Sequence, residues 1–373
     1  MAYVKKISAL LVAAVITGGA LTSYGQIIYN QPMSGDAQMI YTCWKMETDT
    51  VSTTLSQFTI PVNGFFPLGD NFEARFYLAN AANKFEYEDY DFTLNGLSDM
   101  RLQFNRSLAE DRLLISTGIN LPTGKKKLNL TEEWLVLEFL SQNYLNFPVR
   151  RLGEGLGLNF LFGGATIAGI FRLGGSIEYQ YNGTYEPYEI GGDYKPGNHI
   201  ALNVGADTRR DKMTYSAGII FTTYTDDKLE DEKVFRQSNQ VDLRLSGTFD
   251  EDKYSLGAAM RYLIRDRNKR YSDDGKTLEQ LKAYGNEFLF NGRFTYHPDK
   301  KWFVAPLAEI HLVAANEYDF GSSNVFGFGA DIGRHINPDV NIGLGMKYYT
   351  GSADGGNIDI SGYQLSAILS AAF

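Results

Sequence analysis

Glu309 and His311 stand two residues apart in a stretch of alternating polarity, so both side chains leave the backbone on one face. An acid beside an imidazole is part of a nucleophile-activating set; the rest would be a serine or cysteine within hydrogen-bond reach. No Gly-x-Ser-x-Gly occurs, and the other histidines, His199, His297 and His335, are scattered over separate stretches. The pair therefore reads as polar groups lining an interior, and the chain reads as not an enzyme, with no catalytic residue. Cys43 is the single cysteine. It can form no internal disulfide and belongs to no metal or redox framework, so no metal and no cofactor are expected.

Further charges collect on the same inward parity. Arg244, Arg261, Arg265, Arg293 and Lys347 join Asp242, Glu287, Glu309 and Asp331 there. Such charges are tolerated when they face water or each other, whereas a mid-membrane Arg on a lipid face costs about 2–4 kcal/mol. They can tune the selectivity of a pore, or form an ion-pair network that fills a lumen. Both readings need the same residues. Three local motifs have plainer explanations. Leu121-Pro122-Thr123-Gly124 spells a sortase signal but lacks the apolar tail and basic residues that sorting needs, so it reads as a strand end and turn. Gly153, Gly155 and Gly157 lack the strand–turn–helix context of a phosphate loop and read as strand glycines in a curved wall. The acidic stretches 86–91 and 226–232 lack calcium-loop spacing and read as solvated loop charge.

The elements that would position these groups follow from periodicity. From Asn286 to Phe373 apolar and small-or-polar residues alternate, as in Tyr363, Leu365, Ala367, Leu369, Ala371 and Phe373 against Gln364, Ser366 and Ser370. A period of two is a strand with unlike faces. The same pattern predicts strands back to Gln38–Met46, with turns at Pro67–Asp70, Gly164-Ala165, Arg209–Lys212, Asp250–Lys253, Pro298–Lys300 and Asn337–Asp339. Short connections alternate with long ones: 123–150, 183–198, 226–238, 266–285, 314–323 and 350–358. Short turns on one rim and long loops on the other mark an outer-membrane barrel. The expected fold is all-β: a transmembrane antiparallel up-and-down β-barrel with short periplasmic turns and long extracellular loops. It has 16 strands, or 14 if the first two segments lie elsewhere.

The first 25 residues read as a signal peptide: Lys5 and Lys6, an apolar run from Ile7 to Leu21, then small residues. Residues 26–373 read as a single barrel, with 26–36 available as an N-terminal plug. The formal charge of −9 becomes −11 once Lys5 and Lys6 leave with the signal, which argues against nucleic acid as a partner. Mean hydropathy is −0.25, and past the signal no apolar run is long enough for a membrane helix.

One helix is expected, at Thr131–Tyr144, with Thr131 as its cap. Its apolar residues Trp134, Leu137, Phe139, Leu140 and Tyr144 can bind an apolar ligand or pack on the rim or in the lumen. Leu97-Ser98-Asp99-Met100-Arg101-Leu102-Gln103-Phe104, followed by Ile115-Ser116-Thr117-Gly118-Ile119-Asn120-Leu121-Pro122-Thr123-Gly124, resembles a family pattern. It is that of the meta-pathway phenol-degradation-like proteins, relatives of the FadL-type transporters of hydrophobic compounds. Ser98 stands where that pattern has glycine. The resemblance implies a monomeric barrel that passes small apolar molecules, often with N-terminal residues plugging the lumen. The terminal Phe373 resembles the recognition signal of the barrel-assembly machinery. The expected function is passive uptake of small hydrophobic or aromatic compounds across the bacterial outer membrane, in contact with its lipid. The alternatives are a general diffusion porin and a structural or adhesive barrel with a filled lumen.

Overall fold

The computed structural model describes residues 32–130, 132–189, 191–272 and 274–373. The signal segment, residues 26–31 and Thr131 lie outside the described residues.

Sixteen antiparallel strands form one closed wall. The first five are β1 (Ser34–Glu47), β2 (Ser52–Pro67), β3 (Phe72–Tyr87), β4 in two pieces (Tyr90–Leu97 and Met100–Leu108) and β5 (Leu113–Leu121). After a long connection come β6 (Gly157–Ala168), β7 (Phe171–Asn182), β8 (His199–Arg210), β9 (Met213–Tyr224), β10 (Gln240–Asp250) and β11 (Tyr254–Arg265). The wall finishes with β12 (Glu287–Tyr296), β13 (Trp302–Val313), β14 (Ser323–His335), β15 (Val340–Ala353) and β16 (Ile358–Ala372). Each strand pairs with its neighbour in the chain, and β1 closes on β16 from Ser34↔Ala372 to Glu47↔Asp359. Closure satisfies every strand edge, which a sheet must do in lipid. Ser34–Asp36, the end of the segment read as a plug, are part of this wall.

The two pieces of β4 share one partner. Tyr90–Leu97 pairs with the upper half of β3 and Met100–Leu108 with its lower half, leaving Ser98 and Asp99 at the break. Two expected turns move. The β6–β7 hairpin turns at Gly169-Ile170, where Gly169 takes φ +62°, and Gly164-Ala165 sit inside β6. The acidic stretch 86–91 is a tight hairpin with Tyr87 opposite Tyr90, so the first two connections on the long-loop rim, at 48–51 and 88–89, are short. From residue 122 to 322 that rim carries the long connections, and the one expected at 350–358 is again short, residues 354–357, because β15 runs on to Ala353. Three of the long connections knit a separate five-stranded sheet at that rim from Tyr194–Lys195, Asp226–Leu229, Glu232–Arg236, Asn268–Tyr271 and Thr277–Leu281.

Outward residues form an apolar band: Leu202, Val204, Ile219, Leu245, Leu256, Phe328, Leu344 and Met346 are exposed. Tyr215, Tyr254, Tyr296, Trp302 and Tyr348 are exposed on the same outward parity, the positions expected of interfacial girdles. A closed barrel with such a band and short turns at the rim that carries its termini has the architecture of an outer-membrane channel. The two faces can be told apart by substitution. Leu245→Arg is expected to lower unfolding stability in vesicles by about 2–4 kcal/mol. Ser246→Arg, one residue on and facing the lumen, is expected to stay within about 1 kcal/mol. Equal effects in a urea titration would overturn this assignment of faces.

Candidate functional site

The main apolar core lies inside the barrel. Connection 122–156 folds inward and lays Val136, Leu140, Tyr144, Leu145, Phe147, Val149 and Leu152 against one side of the wall. That bed comes from both ends of the chain: Trp44, Leu55 and Phe85 from β1–β3, and Val325, Tyr349 and Ile360 from β14–β16. Helix α1 spans Glu133–Leu140. It is shorter than the expected Thr131–Tyr144 because Gln142 is extended, and Asn143–Leu145 make a separate 3₁₀ turn. The Glu133 carboxylate accepts from Asn129 N (3.1 Å) and pairs with Lys125, fixing the first turn.

The apolar residues proposed from sequence as a ligand site mostly pack. Leu140 and Tyr144 are buried, and Phe139 stacks on Phe85 at 4.5 Å. Leu137 is partly buried against the same core, and Trp134 is exposed. Burial raises the Tyr144 phenol to about 12, with Asp354 adding to the rise. Deeper in the packing, the Gln57 amide donates to Asn83 Oδ1 (2.6 Å) and Val149 O (2.7 Å) and accepts from Val149 N (3.0 Å).

Both stems of the connection are held at the break in β4. Asp99 Oδ1 accepts from Gly124 N (2.8 Å), while Oδ2 accepts from Glu154 N (2.7 Å) and Asn120 Nδ2 (3.1 Å). Thr123 Oγ1 accepts from Met100 N (2.9 Å) and donates to Ser98 O (3.2 Å). A Cβ on Gly124 would lie 2.1 Å from Leu152 O, so no larger residue fits there without moving the second stem. Ser98-Asp99 and Leu121-Pro122-Thr123-Gly124, the two stretches that carry the family resemblance, thus form one clasp. Gly153 and Gly155 lie in the connection rather than in a strand, and only Gly157 begins β6. A Cβ on Gly153 would meet Lys125 O at 2.8 Å.

The charged row expected of the lumen is paired, within one strand, between neighbouring strands or across one intervening strand. Asp242 takes both Arg244 (2.7 Å) and Arg261 (2.9 Å). Glu287 takes Arg265 at 2.7 Å, with His311 at 3.9 Å on its other oxygen. Lys347 pairs with Glu309 at 2.7 Å, and Arg293 with Asp331 at 2.7 Å. Asn143 of the connection donates to Glu287, joining the folded-in segment to this row.

Between the row and β6 the inward positions turn small. Cross-strand register puts Gly163, Ala165, Gly174, Ser176, Gly205, Ser216, Gly218, Ser246 and Ala259 on the face of Arg244. Arg172 pairs with Asp207 across this strip, and the Ser216 and Ser246 hydroxyls meet at 2.6 Å. The strip is visible in the sequence as Gly, Ala and Ser alternating with Phe162, Leu173, Val204, Ile219 and Leu245, and sequence reasoning passed over it. A concavity of about 1190 Å³ lies over the same strands. Its larger lining side chains, such as Leu173, Val204, Ile219, Leu245 and Tyr262, have the outward parity of the apolar band, so it is a hollow of the outer wall and not of the lumen. Among the described residues no group of three or more His, Cys, Asp or Glu could hold a metal ion.

No family model matches the chain, and no curated protein matches it by sequence. Among solved structures it is similar to OprD from Pseudomonas aeruginosa, at TM-score 0.44 and 10% identity over 95% of this chain and 100% of that one. It is similar to a P. aeruginosa FadL homologue at TM-score 0.47 and 8% identity over 92% of this chain and 90% of that one. The anion-selective porin from Comamonas acidovorans gives TM-score 0.42 and 8% identity over 92% and 100%. These are likenesses of barrel shape, and no role passes from them to this chain.

Proposed function

We propose that the protein is a passive diffusion channel of the bacterial outer membrane, narrowed by connection 122–156 to an off-centre passage along β6–β12. One observation carries this reading: the inward face of these strands is small and polar, while the apolar packing is confined to the opposite side. Small side chains leave room, and Arg172, Arg244, Arg261, Ser216 and Ser246 offer hydrogen bonds to water and solute. Outer-membrane lipid surrounds the barrel, and Phe373 at the terminal rim is the residue we assign to recognition by the assembly machinery.

Single-channel recording of the refolded mature protein in a planar bilayer tests the reading. The expected result is a stable conductance with preference for anions, because arginines crowd the upper passage. Arg261→Gln is expected to shift the reversal potential in a salt gradient toward neutrality. A barrel that inserts but does not conduct would overturn the proposal.

A second reading, passage of small hydrophobic or aromatic compounds, is favoured by Trp134, Leu130 and Leu156, which the connection leaves exposed. Quenching of Trp134 fluorescence by an apolar aromatic probe, lost in Trp134→Ala, would support it.

A further inference from the structure

The upper lumen holds more guanidinium than carboxylate. Arg244 on β10 and Arg261 and Arg265 on β11 share two acids, Asp242 and Glu287, and Arg150 on the folded-in connection reaches Glu287 only through Asn143. The Asp242 side is crowded: its Oδ2 accepts from Arg244 Nε (3.1 Å), Arg244 Nη2 (2.7 Å) and Arg261 Nε (2.9 Å). On the other side a hydrogen-bonded chain runs from Arg150 through Asn143 to Glu287 and Arg265. Arg150 Nη1 donates to Asn143 Oδ1 (3.0 Å), Asn143 Nδ2 donates to Glu287 Oε1, and Arg265 Nη2 donates to the same oxygen (2.7 Å). Arg150's remaining partners are Asn143 O and Asn146 Oδ1, both at 3.4 Å, and no carboxylate pairs with it among the described residues. Register places Asp242 and Glu287 both opposite Leu263, so the two halves of the cluster lie at one depth.

Charge of one sign held half out of water is unfavourable until an anion completes it. Burial lowers the proton affinity of Arg150; Glu287 opposes this, while Arg261, Arg265 and Arg151 push it further down. The Arg265 side chain is 9% exposed and committed to Glu287, whereas Arg261 keeps 40% of its side chain open. Arg261 and Arg150 are therefore the guanidiniums with donors to spare. A planar fork matches a carboxylate better than a compact ammonium does. Aromatic faces stand beside the forks. The Arg265 guanidinium lies 5.9 Å from the Tyr284 ring centre, and Tyr224, which sits in the field of Arg265 and Arg261, packs on His199 at 5.5 Å.

We propose that Arg150 and Arg261, with Tyr224 near Arg261 and Tyr284 beside the neighbouring Arg265, form a transient binding site in the channel for a small aromatic carboxylate. The proposal rests on the channel reading above and adds the class of solute. The carboxylate bridges the two open guanidiniums, supplying the charge that Asp242 and Glu287 leave unbalanced. Its ring lies against the tyrosines. No bond is made or broken, so the site lowers the barrier to entry and releases the solute downhill.

Benzoate is the probe, added to one side of a bilayer holding a single channel, with acetate and benzylamine as controls. The expected result is resolvable interruption of the current by benzoate, weaker interruption by acetate and none by benzylamine. Arg150→Gln with Arg261→Gln is expected to shorten the blocked time about tenfold, the scale of a lost charge-assisted hydrogen bond. Tyr284→Leu should weaken benzoate while sparing acetate, and Arg150→Lys should restore part of the effect. A channel that conducts and ignores benzoate overturns the site and leaves the channel standing. Equal block by benzylamine also overturns it. A protein that inserts and never conducts overturns both readings at once.

Discussion

Replacing Val136 and Leu140 together by aspartate is expected to raise the single-channel conductance several-fold while the barrel itself stays folded. Both side chains sit in the apolar packing inside the lumen, at 0% and 1% exposure. Truncating one buried leucine already costs about 2–5 kcal/mol. Two carboxylates placed there have no donor to meet them, and burying an unpaired charge costs more than losing a methyl group. The wall does not share the penalty, because its strands are held by backbone pairs that do not involve helix α1. The low-energy response is for the connection to leave the lumen and take its acids to water. Trp134→Asp, on the exposed side of the same helix, should leave the conductance unchanged. If the double variant keeps the wild-type conductance and an unchanged circular dichroism spectrum, the helix does not set the constriction.

Asp99→Ala and Gly124→Ala are expected to free the connection from its stems rather than from its packing. Asp99 gathers three N–H donors from residues 25, 55 and 21 positions away in the chain. Each hydrogen bond to a charged group contributes about 1.5–3 kcal/mol, so alanine removes several, with two half-buried amides left unpaired. Gly124→Ala reaches the same end by volume, since a methyl group and Leu152 O cannot share 2.1 Å. The measurement is tryptic cleavage of the protein in intact vesicles. Lys125, Lys126 and Lys127 follow the clasp directly. Wild type should resist cutting there, and both variants should be cut at least about tenfold faster, matching a local loss of about 1.4 kcal/mol or more. A wild-type digestion pattern in both would remove the clasp from the account.

The wall was legible in the sequence because a two-residue period survives wherever one face meets lipid and the other does not. Phe288, Phe290 and Phe294 against Glu287, Asn291 and Arg293 is such a case, and the paired lumen charges came with it. Where both faces are small the period fades. Gly164-Ala165 read as a turn, and the real turn, marked by the positive φ of Gly169, lay five residues on. The helix was legible as apolar but not as packed. Trp134, Leu137, Phe139, Leu140 and Tyr144 look alike whether they await a ligand or lie against Phe85, and only the neighbouring strands decide. The clasp was out of reach for a different reason. Asp99, Asn120, Gly124 and Glu154 are joined by a break in β4 that no local preference encodes.

The closing pair of strands has a consequence for how the molecule can be made. Trp44, early in the chain, stacks on Tyr349 at 4.9 Å, and Phe373 N donates to Met33 O at 2.7 Å. The bed on which the connection rests is therefore incomplete until the last strand arrives. Part of its seat is built by β14–β16, the last strands made, so the connection is fully packed only when the ring shuts. Seam closure and lumen packing become a single late event, and the order of synthesis is the reverse of the order in which the first strand finds its partner. A chain halted before Ile358 would lack the partner of β1 and part of the surface that seats Leu140. Assembly would then fail as a whole, not by degrees.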